Sequence, residues 1–118
     1  MNTYTPGKHL IATIHSSLNY KLEAYEPFMT FITGVIQKYQ LQELGTVCHN
    51  FSPAGFTVVI CLSESHLSIH TWPEYGKANM DIYLSNHLKD NTDKVEAIFE
   101  EIVSFFEAGT INRQEILR

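Results

Sequence analysis

The chain has 118 residues, 44% hydrophobic, 12% aromatic and 18% charged, a balance that predicts one folded core over residues 1–118 and excludes a disordered chain. Thirteen Asp and Glu outnumber eight Lys and Arg, for a formal charge of −5, which excludes the basic footprint of a nucleic-acid binder and weakly favours a cationic small molecule as partner. No apolar run approaches the roughly 20 residues of a membrane span, so no membrane partner is expected.

The N-terminus lacks the apolar region of a signal peptide. Two cysteines, Cys48 and Cys61, make neither a disulfide framework nor a thiolate zinc set, which favours a reducing, cytoplasmic setting.

His9–His15 mixes β-branched and apolar residues and stops at Ser16-Ser17-Leu18-Asn19, predicting a first strand followed by a loop. From Pro27 the apolar residues Phe28, Phe31, Ile32, Val35, Ile36 and Tyr39 recur at helical spacing, with Pro27 suited to the first turn. Thr46–Phe51 predicts a second strand, closed by the turn residues Ser52-Pro53-Ala54-Gly55. The nearly unbroken apolar run Phe56–Leu62 predicts a central strand buried on both faces. His66–Thr71 alternates with period two and predicts a half-buried strand. Ala78–Ser85 predicts a fifth strand.

Asn91 or Thr92 can cap a second helix whose stripe is Val95, Ile98, Phe99, Ile102, Val103 and Phe106, with Gly109 as its stop. Thr110–Leu117 is assigned as a sixth strand. The order predicts an α+β fold, a two-layer α/β sandwich with a mostly antiparallel sheet and helices packed on one face.

Leu62–Glu74, reading Leu-Ser-Glu-Ser-His-Leu-Ser-Ile-His-Thr-Trp-Pro-Glu, carries hydroxyls, two imidazoles and two carboxylates that a structural strand does not need. His66 and His70 suggest a metal pair. In a strand, however, four residues span about 13 Å, too far to share one ion, so no metal is expected. A serine triad lacks its Gly-x-Ser-x-Gly elbow. Composition and periodicity leave Ser65 readable as a turn hydroxyl and His70 as a half-buried, hydrogen-bonded imidazole.

At these residues the chain resembles the pyruvoyl-dependent S-adenosylmethionine decarboxylase proenzymes of the short prokaryotic type. The matching run is Ser63–Gly76 followed by Asp81-Ile82-Tyr83, with Gly7-Lys8-His9-Leu10, Phe51, Pro53 and Gly55 in register. The likeness covers roughly residues 7 to 86 well. It implies self-cleavage between Glu64 and Ser65 into a β chain, 1–64, and an α chain, 65–118, and a covalent pyruvoyl cofactor made from Ser65, with neither metal nor pyridoxal phosphate. Ser65 attacks the preceding carbonyl to give an ester, and elimination and hydrolysis leave the pyruvoyl group. Its carbonyl condenses with the substrate amine as a Schiff base. By the same resemblance His70 and Thr57 assist processing, Phe51 stacks on adenine, and Glu74 binds the ribose hydroxyls. The resemblance also implies that cleaved protomers pair as a homodimer.

Two departures stand out. The family ordinarily has Thr-Cys-Gly after the Asp-Ile-Tyr run, its cysteine protonating the substrate carbon; this chain has Leu84-Ser85-Asn86. Ser85 therefore stands at the proton-donor position with a far weaker acid than a thiol of pKa about 8.5. Cys61 is read as a buried core residue. Thr13 stands where many relatives carry an acid.

The leading reading is a self-processing S-adenosylmethionine decarboxylase that supplies aminopropyl groups for spermidine synthesis. A pyruvoyl-dependent decarboxylase of arginine or ornithine on the same fold is the second, motivated by Ser85 and Thr13. A catalytically inactive regulatory homologue is the third. Intact mass separates the last from the first two, and trapping with each candidate amine separates those.

Overall fold

The computed structural model describes residues 3–87 and 89–118. Six strands, β1 (Lys8–His15), β2 (Glu43–Asn50), β3 (Phe56–Leu62), β4 (Ser65–Trp72), β5 (Lys77–Leu84) and β6 (Thr110–Leu117), form one sheet in the order β2-β3-β4-β5-β1-β6. Every pairing is antiparallel. Three helices, α1 (Asn19–Glu23), α2 (Tyr25–Lys38) and α3 (Thr92–Phe106), pack against one face, as the α+β expectation has it. No helix among the described residues is long and apolar enough to cross a membrane.

Strand alternation sorts the side chains. Leu10, Ile14, Phe56, Val58, Ile60, Leu67, Ile69, Met80 and Ile82 are buried on the helix side with Phe28, Ile32, Val35, Ile98, Phe99, Ile102 and Phe106 from α2 and α3. Both predicted helical stripes thus supply the core. The opposite face has no helix over it, and there the predictions need correction. β3 is not buried on both faces: it alternates, with Val59 39% exposed. Cys61 is exposed, not a core residue. An apolar run reports hydrophobicity but not which side of the sheet is covered.

Helix boundaries also differ. The loop read at Ser16–Asn19 runs directly into α1, a helix of five residues that is too short to show a period. α2 begins two residues before Pro27. α3 stops at Glu107, which takes the left-handed conformation at φ 49°, two residues ahead of Gly109. Ser85 lies just past the end of β5.

α3 is tied to the sheet by charge as well as packing. Glu96 meets Arg113 Nη2 at 2.6 Å and Lys8 Nζ at 2.7 Å, and the Arg113 guanidinium, then Lys8, push its carboxyl down to about 2 from an ordinary 4.5. A carboxylate depressed on folding stabilises above its unfolded value and loses that contribution as pH falls through the folded one. Glu96→Gln should therefore melt a few degrees below the wild type at pH 7. Circular-dichroism melts should show the gap narrowing below pH 4.5 and closing near pH 2, the bounds set by those two values.

Candidate active site

Register lays the open face out in rows across the strands. One row runs His9, Tyr83, His66, Cys61; the next Ile11, Asp81, Ser68, Val59; the third Thr13, Asn79, His70, Thr57. Two polar centres lie on this face, at opposite ends of β4.

The first surrounds the Glu64–Ser65 peptide bond. A two-residue turn, Ser63-Glu64, joins β3 to β4, and Ser65 leaves it at φ 147°, a conformation that costs a residue with a Cβ on the order of 1–3 kcal/mol. The Glu64 carbonyl accepts a hydrogen bond from the Ser85 amide at 2.8 Å. Ser85 is held in turn: its own carbonyl accepts from Asn91 Nδ2 at 2.8 Å, and the same amide group binds the Glu64 carboxylate. Asn91 therefore ties Glu64 and Ser85 together beside the peptide bond.

That role displaces the one expected of it. Asn91 occupies the cap position of α3 but makes no side-chain cap bond, and Asp90 Oδ1 accepts from the Thr92 amide at 2.9 Å instead. Gly7 completes the enclosure, because a Cβ there would lie 2.5 Å from the Leu84 carbonyl oxygen and 3.1 Å from Ser85 Cα. Only glycine lets the chain pass this close to Ser85.

The Ser65 hydroxyl lies 3.2 Å from His66 Nδ1. On its other side His66 Nε2 approaches Asp81 Oδ1 at 2.8 Å, with His9 Nε2 3.6 Å from the same oxygen. Asp81 Oδ2 accepts the Ser68 hydroxyl at 2.7 Å. Sequence reasoning missed His66, Asp81 and Asn91 as members of this site. His66 was weighed only against His70, its neighbour in sequence, whereas its partners arrive from β1 and β5.

The second centre is a cleft of about 400 Å³ bounded by Phe51, Pro53, Thr57, His70, Trp72 and Glu74. Thr57 Oγ1 and His70 Nδ1 are 2.9 Å apart across β3 and β4. Phe51 is 51% exposed and Trp72 44%, while a 3-10 turn at Pro73–Tyr75 presents Glu74. Two aromatic faces and a carboxylate suit a ligand with a planar base and vicinal hydroxyls. Thr13 joins Asn79 Oδ1 at 2.9 Å in the row that leads to His70.

The structure thus brings Thr57, His70, Phe51 and Glu74 together, and Glu64, Ser65 and Ser85 together. It does not bring the two groups together. Ser65 and His70 are five residues apart on one strand, about 16 Å at the rise of a β-strand.

A family model described as S-adenosylmethionine decarboxylase matches residues 8–118. The chain is 35% identical over 100 residues to the S-adenosylmethionine decarboxylase proenzyme of Archaeoglobus fulgidus, covering 85% of this chain and 86% of that one. It is 39% identical over 79 residues to the proenzyme of the same description from a Sulfurihydrogenibium species, covering 67% and 59%. The crystal structure of the adenosylmethionine decarboxylase from Aquifex aeolicus superposes with a TM-score of 0.86 at 28% identity, over 98% of this chain and 92% of that one.

Proposed function

We infer, since this chain belongs to the S-adenosylmethionine decarboxylase family, that it is a proenzyme which cuts itself between Glu64 and Ser65 and then decarboxylates S-adenosylmethionine, yielding the aminopropyl donor for spermidine synthesis. The observation that carries this reading is the state of the bond to be cut. Its serine is held off the favoured backbone regions at φ 147°, and its carbonyl is polarised by the Ser85 amide at 2.8 Å. Strain released on cleavage and a donor aimed at the developing oxyanion both favour an acyl shift. These residues fit a self-made pyruvoyl group, which supplies a carbonyl for the substrate amine and a conjugated amide that accepts the electron pair freed as carbon dioxide leaves.

Phe51 and Trp72 take the adenine and Glu74 the ribose hydroxyls, leaving the amino-acid end to reach toward the cut site. Because about 16 Å of strand separates Ser65 from His70, one chain cannot supply both. A second copy placed against the open sheet face, where Val47, Val59, Trp72 and Ile116 are exposed, delivers its Thr57, His70 and cleft to the first chain's Ser65. This supports a homodimer of cleaved protomers. The free state of both cysteines is compatible with a reducing cytosol.

Release of carbon dioxide from carboxyl-labelled S-adenosylmethionine, with arginine and ornithine in parallel, tests the substrate. Release from S-adenosylmethionine alone is expected; release from arginine or ornithine alone contradicts the reading. Ser85 abuts the scissile bond, where a proton donor to the substrate carbon belongs. Ser85→Cys should raise turnover of S-adenosylmethionine by roughly tenfold or more, since a thiol is the stronger acid by several pKa units. Unchanged turnover would place the donor elsewhere.

A further inference from the structure

We propose, resting on the self-cleavage reading, that His66 is the base that activates Ser65 and that Asp81 positions it, as a serine–histidine–aspartate relay built across β4 and β5. A base must lie within hydrogen-bond reach of the proton it removes. His66 Nδ1, at 3.2 Å from Ser65 Oγ, does; His70, about 16 Å along the strand, does not. The carboxylate sets the tautomer. With Asp81 Oδ1 at 2.8 Å from Nε2, the ring proton sits on that side and the Nδ1 lone pair faces the serine hydroxyl.

Asp81 is held for this task by the Ser68 hydroxyl at 2.7 Å. His9 faces it as well, with Arg118 Nη1 at 3.1 Å from His9 Nδ1, which turns the N–H of His9 toward Asp81. Short as the His66–Asp81 distance is, neither imidazole is aligned for a full N–H···O bond. Asp81 Oδ1 and His9 Nε2 are buried without a hydrogen-bonding partner among the described residues. A small rotation of His66 as it takes the proton completes a bond that the resting chain lacks, so the relay is stronger in the transition state than in the ground state.

The step balances within the chain. Ser65 Oγ bonds to the Glu64 carbonyl carbon while its proton passes to His66 Nδ1. The Ser85 amide receives the oxyanion. The C–N bond then breaks, and His66 returns the proton to the departing Ser65 nitrogen, leaving an ester and a free amine. The partner's His70 acts only afterwards, in the elimination that opens the ester.

The test is a time course of cleavage in freshly synthesised full-length chain, with hydroxylamine to split any ester. His66→Ala should cut at least about 100-fold more slowly, stall as a chain that hydroxylamine does not split, and regain cleavage when imidazole is added. His66→Gln, which preserves volume and a polar group, should be as slow. Asp81→Asn should slow the wild type but add nothing to His66→Ala, because a positioning residue has no effect once its imidazole is gone.

Cleavage of His66→Ala at the wild-type rate overturns the proposal, as does accumulation of a hydroxylamine-sensitive ester or failure of imidazole to help. A wild-type chain that stays whole defeats the self-cleavage reading itself. Those failures are therefore distinguishable.

Discussion

Ser65→Ala should leave the protein as one uncut chain without decarboxylase activity, a complete loss, since on the self-cleavage proposal the hydroxyl is both the attacking group and the precursor of the cofactor. The fold should survive. Among the described residues Ser65 has one side-chain bond, to His66 Nδ1, worth about 1 kcal/mol, and alanine carries the same Cβ through the same backbone conformation. Ser65→Gly separates chemistry from strain: it too should stay uncut, yet at φ 147° glycine removes a penalty of roughly 1–3 kcal/mol. Its melting temperature should therefore exceed that of Ser65→Ala. The reverse order would show that the turn is unstrained.

A chain carrying His70→Ala should be cut when produced together with a chain carrying Ser65→Ala, although neither is processed alone. The reason is spatial. Thr57 and His70 are 2.9 Å apart in a cleft with Phe51 and Glu74, but about 16 Å of β4 separates them from Ser65 in the same chain. In a mixed pair, the chain that keeps Ser65 receives an intact His70 from its partner. Mass spectrometry distinguishes the two chains by their substitutions, and the fragments should come from the His70→Ala chain alone. Absence of cleavage in the mixture would mean that the strand bends enough for each chain to serve itself, or that no such pair forms.

Most of the fold was legible because α2 and α3 each repeat an apolar face over several turns. Phe28, Ile32, Val35 and Ile36, like Val95, Ile98, Phe99, Ile102 and Phe106, are buried where the period puts them. β5 alternates cleanly between buried and half-buried residues: lysine and asparagine on its open side are half-covered by neighbours on adjoining strands. Cys61 and Val59 were misplaced because residue type alone cannot show that one sheet face lacks a helix. The motif from Ser63 to Gly76 singles out Ser65 and His70 as candidates, but a motif is linear and says nothing of the span between its members. Asp81 and His9 join His66 through register across three strands, and Asn91 reaches Glu64 from the start of α3. Such meetings leave no periodic trace.

The central claim is that Glu64–Ser65 is cut by the chain itself and that Ser65 becomes a pyruvoyl group. Intact-mass analysis of the purified wild-type protein under denaturing conditions tests it most directly. The account predicts two chains, residues 1–64 and 65–118, the second lighter by one ammonia than its serine-terminated form and resistant to sequencing from its N-terminus. A single mass for the whole chain, or a second fragment that still begins with serine, would contradict it.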